Sequence, residues 1–149
     1  MEQDRLRTLL HKLTNGELSE DQVFDQLKML PFESLNGFAN LDHHRSLRTG
    51  LPEVIFAQGK TPDQVVEIFL QLQNHSCQVL ATRVSSEMYA QIKDRLPHAT
   101  YNPVARLMFF DQDSERVRQR GILVLSAGTS DIPVAEEAAI TAELMGSQV

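Results

Sequence analysis

The stretch richest in usable chemistry is Ser126-Ala127-Gly128-Thr129-Ser130-Asp131, which follows the apolar run Ile122-Leu123-Val124-Leu125 and leads into a helical pattern. Small residues at the carboxyl end of a strand let a ligand come close to the main chain. A helix starting there offers unpaired N–H groups and a partial positive charge. Ser126, Thr129 and Ser130 add hydroxyl donors. Asp131 can accept from ribose hydroxyls or simply cap the helix. The residues leave two readings open, an anion or nucleotide-phosphate site and an ordinary capped turn.

Two cationic positions could serve such a ligand. Gly59-Lys60-Thr61 has the form of the tail of a phosphate-binding loop, but the full pattern needs a glycine five residues before Gly59, where Val54 stands. Pro62 also lacks an N–H that a phosphate cradle would use. An ATPase is therefore set aside, and Lys60 remains as a lysine at a helix entrance, meeting a ligand phosphate or lying on the surface. Arg83 sits just past a strand pattern, a usual place for ligand-facing groups in α/β proteins. Ligand contact and a structural role both stand for it.

Other reactive types point elsewhere. His43 and His44 are adjacent, so they diverge on a strand or a helix, and no third ligand completes a spaced set; no metal is expected. Cys77, the single cysteine, excludes an intrachain disulfide and reads as a structural thiol at a strand entrance. Glu136 and Glu137 fall in the first turns of the last helix, where carboxylates favour the helix dipole. No Ser-His-Asp or Cys-His spacing stands out, so catalytic residues stay unassigned.

The elements that must position these groups follow from periodicity. Leu6, Leu9, Leu10 and Leu13 make one helical stripe, stopped by Asn15-Gly16. Ser19 and Gln22 form a capping box for a second helix with Val23, Leu27 and Leu30 on its apolar side, ended by Pro31. Residues 32–50 show no clear period. From residue 51 the pattern becomes α/β. Strands are expected at Val54–Phe56, Val79–Ala81, Arg106–Phe110 and Ile122–Leu125, the last buried on both faces. Helices alternate with them: one from Thr61 and Pro62, one from Ser85, and one after Asp131. The last is expected to face inward with Val134, Ala135, Ala138, Ala142 and Met145, and to stop at Gly146 with no strand after it. Asp111 to Arg120 reads as a surface connection.

With 149 residues, 42% hydrophobic and 23% charged, the chain has room for one domain, or a small domain and part of another. No apolar run approaches the roughly 20 residues that span a bilayer. The acidic, polar start Met1-Glu2-Gln3-Asp4-Arg5 is unlike a secretory signal, so a cytoplasmic location is expected. The formal net charge of −6 argues against a nucleic-acid partner.

Four blocks in order resemble the LarB family: Asp42-His43-His44-Arg45 with Arg48 and Gly50-Leu51-Pro52-Glu53-Val54-Ile55; Gly59-Lys60-Thr61; Ala81-Thr82-Arg83-Val84-Ser85; and Ala127-Gly128-Thr129-Ser130-Asp131-Ile132-Pro133-Val134-Ala135-Glu136-Glu137-Ala138. LarB proteins are pyridinium biscarboxylate mononucleotide synthases of nickel-pincer cofactor assembly. The cyanobacterial circadian phase modifier CpmA belongs to the same group, which is related to aminoimidazole-ribonucleotide (AIR) carboxylase, PurE. The likeness covers residues 42–149. Together with the N-terminal helical hairpin read from periodicity over 1–41, it gives an expected α/β fold in three parts, the resemblance implying a small α/β domain over 42–120 and, over 121–149, the first strand-helix unit of a flavodoxin-like, PurE-like parallel sheet.

By the same resemblance Ser126, Gly128, Thr129, Ser130 and Asp131 would cradle a nucleotide, with Lys60 and Arg83 helping. The family carboxylates the pyridinium ring of nicotinic acid adenine dinucleotide with carbon dioxide and hydrolyses its phosphoanhydride, using a cysteine nucleophile. The segment bearing that cysteine has no counterpart here, and Cys77 is not at the matching position. The chain is therefore expected to be the front part of such a protein, cut off before its catalytic domain is complete and inactive alone. The alternatives are a non-catalytic regulator of circadian gene-expression phase and a plain nucleotide-binding module. No bound cofactor is expected. Expected partners are a nucleotide-like small molecule, a second copy in a homo-oligomer, and a protein docking on the N-terminal helices, with no membrane.

Overall fold

The computed structural model describes residues 2–27, 33–35, 39–42, 45, 52–112 and 117–149. The adjacent histidines 43 and 44, the helix stop at Pro31 and the Arg48-to-Gly50 part of the first block lie outside the described residues. The chain divides into two compact units, residues 1–51 and 52–149.

In the first unit α1 spans Glu2–Thr14 and α2 spans Glu20–Leu27. Leu9 and Val23 are buried, whereas Leu10 is half exposed, so the α1 stripe is narrower than its leucines suggest. Gly16 takes a left-handed φ of +71° and turns the chain, donating to the Leu13 carbonyl at 3.1 Å. The expected capping box is formed: Ser19 N–H donates to Gln22 Oε1 at 2.9 Å, and Gln22 N–H to Ser19 Oγ at 3.2 Å. An unforeseen antiparallel strand pair is added by β1 (Glu33–Leu35) and β2 (Ala39–Leu41).

The second unit is built on a four-stranded mixed sheet. Its strands are β3 (Val54–Phe56), β4 (Gln78–Thr82), β5 (Thr100–Asn102) and β6 (Leu107–Asp111), in the order β3-β4-β6-β5. β3 and β4 are parallel, and the other two pairings are antiparallel. Parallel strands need a crossover; here it is α3, Pro62–His75. Its start follows its sequence, with Thr61 and Gln64 closing a capping box at 3.0 and 3.3 Å ahead of Pro62 at the first turn. α4, Ser86–Ile92, is capped by Ser85, whose Oγ accepts from Met88 N–H at 3.2 Å.

Strand alternation assigns the two faces of the sheet. Ile55, Val79, Ala81, Met108 and Phe110 point to one side, where α3 buries Val65, Val66, Ile68, Phe69 and Leu72. Leu80 and Leu107 point to the other. There they form a buried cluster with Ala105 and Leu144, against which Val54, Phe109, Ile140 and Met145 pack. Ile140, Leu144 and Met145 belong to α5 (Ile132–Leu144) and its end, so α5 covers this second face. The chain thus has an α/β fold with a sheet between helices.

The last thirty residues depart from expectation in three ways. Ile122–Leu125 is not a strand and is not buried; Leu123 and Leu125 are 80% and 81% exposed. An apolar run becomes a two-sided buried strand only when flanking strands take its main-chain hydrogen bonds, and no described strand flanks this one. The face of α5 is also rotated. Val134 and Ala138 look outward, while Ile140 and Leu144 look in. Alanines bury too little to set a helix face, and Glu136 and Glu137 find partners on the sheet. Finally, the chain does return to a strand after Gly146: β8 (Ser147–Gln148) pairs in parallel with β7 (Gln119–Arg120).

Candidate functional site

Because β3, β4 and β5 run in one direction and β6 runs back between β4 and β5, one edge of the sheet collects the ends of β3, β4 and β5 and the start of β6. This carboxyl edge is where open α/β sheets present ligand-binding groups. The turn after β3 is drawn onto it by Ala57 N–H, which donates to the Thr82 carbonyl at 2.9 Å. Lys60 N–H closes that turn on the Ala57 carbonyl at 3.0 Å, with Gly59 at a left-handed φ of +82°. Lys60 is half-buried, and its ammonium forms no hydrogen bond or ion pair among the described residues.

Arg83 follows β4 with φ +60°, and Arg106 precedes β6 with φ +53°; among the described residues these are the non-glycine positions in the left-handed region. Their backbones are joined, since Val84 N–H donates to the Arg106 carbonyl at 2.9 Å. The Arg83 guanidinium pairs with Glu137, the two side chains being 35% and 20% exposed. Its neighbour Glu136 accepts from Asn102 Nδ2 at 3.0 Å. Asn102 Oδ1 in turn accepts from the N–H groups of Val104 and Ala105, at 3.0 and 2.9 Å. Two adjacent carboxylates thus pin the first turns of α5 to the carboxyl edge. Glu136 and Glu137 act here through side-chain partners, not only through the helix dipole.

The hydroxyl-rich turn forms a second group. A single 3₁₀ turn, Thr129–Asp131, leads into α5. Gly128 N–H donates to Asp131 Oδ2 at 3.2 Å, and Asp131 N–H returns to the Gly128 carbonyl at 3.0 Å. A cavity of about 450 Å³ opens beside it, lined by Val124, Leu125, Ser126, Ala127, Asp131, Val134, Ala135 and Ala138. It is an apolar groove with one hydroxyl and one carboxylate at hand. The sequence-selected residues therefore fall in two places. Ser126 and Asp131 line the groove, with Gly128, Thr129 and Ser130 in the turn beside it. Lys60 and Arg83 sit on the sheet edge, and neither lines the groove.

Cys77 is exposed at the opposite end of β4 from Arg83. Among the described residues no cluster of His, Cys, Asp or Glu is placed to hold a metal ion, and no helix is long and apolar enough to cross a membrane. Sequence reasoning missed Asn102 and Arg106 and undervalued the two glutamates. The glutamates carried a signal, two acids side by side in a first turn; a left-handed arginine carries none.

Residues 32–112 match the family described as LarB/PurE-like N-terminal domains. This chain belongs to that family. The matched stretch contains the whole four-stranded sheet and ends just after β6, so Lys60, Arg83, Asn102 and Arg106 are all part of the LarB/PurE-like domain. A relative from Methanocaldococcus jannaschii, an uncharacterized protein, is 34% identical over 149 aligned residues. The alignment takes in 95% of this chain and 57% of the relative, so the chain spans little more than half of that protein's length.

Proposed function

We propose that this LarB/PurE-like chain is the substrate-holding front section of a carboxylase-related enzyme acting on nicotinic acid adenine dinucleotide. Arg83 carries the reading: a strained, half-exposed arginine at the end of a parallel strand, with Lys60 in the turn that follows the neighbouring strand. Backbone strain of this kind collects at functional sites, because an unstrained residue would serve a purely structural turn better. In this reading Lys60 and Arg83 neutralise the two phosphates. The groove beside α5 seats the apolar face of a base, and Ser126 and Asp131 meet ribose hydroxyls.

The reaction adds carbon dioxide to a pyridinium ring carbon, with loss of the ring proton. Water then opens the phosphoanhydride, releasing AMP. This chain's part is to bind and orient the dinucleotide. The family's cysteine nucleophile is not assigned to Cys77, which lies away from the carboxyl edge.

The test is to express the whole reading frame that contains this chain and incubate it with the dinucleotide and labelled bicarbonate, following products by mass spectrometry. Labelled carboxylated mononucleotide and AMP are expected, and Arg83→Met should cut turnover at least tenfold. A folded protein that yields neither product refutes the enzymatic reading. Unchanged dinucleotide held in a stable complex would leave a nucleotide-binding module.

A further inference from the structure

We propose that Arg106 is a third anion-binding residue of the carboxyl edge, acting with Lys60 and Arg83 on the diphosphate of a nucleotide ligand. This rests on the reading of that edge given above.

The backbone supplies the first argument. At φ +53° the natural occupant is glycine or asparagine, because a Cβ crowds the main chain there. An arginine holds the position at a cost, so its side chain must return something. Yet the Arg106 guanidinium forms no hydrogen bond or ion pair among the described residues, and it is exposed. Its return is not made among the described residues.

Placement supplies the second. Arg106 and Arg83 are linked through the 2.9 Å bond from Val84 N–H, and the Lys60 turn is linked to Thr82 through the 2.9 Å bond from Ala57 N–H. Three cations therefore stand on adjoining backbone segments. One of them, Arg83, is paired with a carboxylate, and among the described residues the other two are not. Like charges held close repel until an anion joins them. Against the carboxylates of Glu136 and Glu137 the three cations still leave this edge one positive charge in excess, in a chain that as a whole carries −6. Two guanidinium forks and an ammonium suit an oxyanion with several acceptors, since arginine meets phosphate through paired N–H donors and lysine as a point charge. A diphosphate has the oxygens and the charge to engage all three.

The experiment is calorimetric titration of the full chain with nicotinic acid adenine dinucleotide and, separately, inorganic pyrophosphate. Arg106→Gly is the decisive variant, because glycine suits the left-handed backbone and the protein stays folded. It is expected to weaken both ligands at least fivefold and to flatten the salt dependence of binding; Arg106→Lys should fall between. Wild-type affinity in Arg106→Gly, alongside a clear loss in Arg83→Met, would overturn the role of Arg106 and leave the edge reading intact. Wild-type affinity in both, or no binding by the unaltered chain, would overturn the edge reading itself.

Discussion

Arg106→Gly is expected to make residues 52–149 more stable, and Arg83→Gly less so, although the two arginines share the same backbone strain. A left-handed conformation costs a residue with a Cβ about 1–2 kcal/mol, and glycine escapes it. Glycine also widens the unfolded ensemble, which takes back about 0.4–1 kcal/mol. For Arg106 nothing else changes, because its side chain has no partner among the described residues. The net gain is about 0.5–1 kcal/mol, or a rise in Tm of roughly 2–6 °C for a domain of about 100 residues. Arg83→Gly carries the same two terms but also strands Glu137, which is 20% exposed. Losing a partly solvated ion pair costs about 0.5–1 kcal/mol. Leaving a largely buried acceptor unpaired costs about 1 kcal/mol more. Arg83→Gly should therefore fall about 1 kcal/mol below the unaltered protein. The assay is urea unfolding followed by tyrosine fluorescence. Tyr89 and Tyr101, the chain's two tyrosines, stack at 4.2 Å inside this unit, so the signal reports it alone. Equal stabilisation by the two glycines would show that the Arg83–Glu137 pair contributes nothing and would refute the reasoning.

Other outcomes follow from packing and charge. Leu80→Ala, in the cluster joining the sheet to α5, should cost about 2–5 kcal/mol in urea unfolding, and a loss below 1 kcal/mol would mean that this face is loosely packed. Leu123 and Leu125 are largely exposed, so the chain is expected to self-associate through them. Leu125→Lys should shift light scattering toward monomer at unchanged Tm; a wild-type protein already monomeric at high concentration would contradict this. Glu87 sits below the usual carboxylate range, chiefly through a hydrogen bond to its own backbone and then through Ser85. A depressed folded value means that its contribution is present above the unfolded pKa and lost as pH falls through the folded one. Ser85→Ala should therefore move the Glu87 titration upward by NMR, and an unmoved titration would remove the Ser85 contact as a cause.

The parts of the fold that were legible are those fixed by neighbours in sequence. Thr61, Pro62 and Gln64 make a helix start wherever they occur together, and Ser19 with Gln22 does the same, because the bonds involved span three residues. Val54–Phe56 and the apolar core of β4 read correctly because both are short apolar runs set between helical patterns. Ile122–Leu125 misled for the opposite reason: its composition describes what the segment would do between two strands, and composition cannot supply the strands. The geometry of the candidate site was half legible. Lys60 and Arg83 could be found by their position after strands. The Arg83–Glu137 and Asn102–Glu136 contacts join residues 54 and 34 positions apart, and no local pattern encodes them. Arg106 stayed invisible because nothing about arginine announces a positive φ.

One consequence follows from how α5 is fastened. Its early turns are held by Arg83 at one end of β4, and near its last turn the Leu144 carbonyl accepts from Gln78 Nε2 at 2.7 Å at the other. From Glu137 to Leu144 is close to two helical turns, about 10 Å of rise, which puts both fastenings on one side of the helix. The strand beneath spans about 16 Å between Gln78 and Arg83, and their long side chains close the difference. β4 thus works as a gauge for the helix above it. A single residue inserted between Glu137 and Leu144 would swing one fastening away by about 100°. The outward-facing positions of this stretch can accept many substitutions, but its length is set.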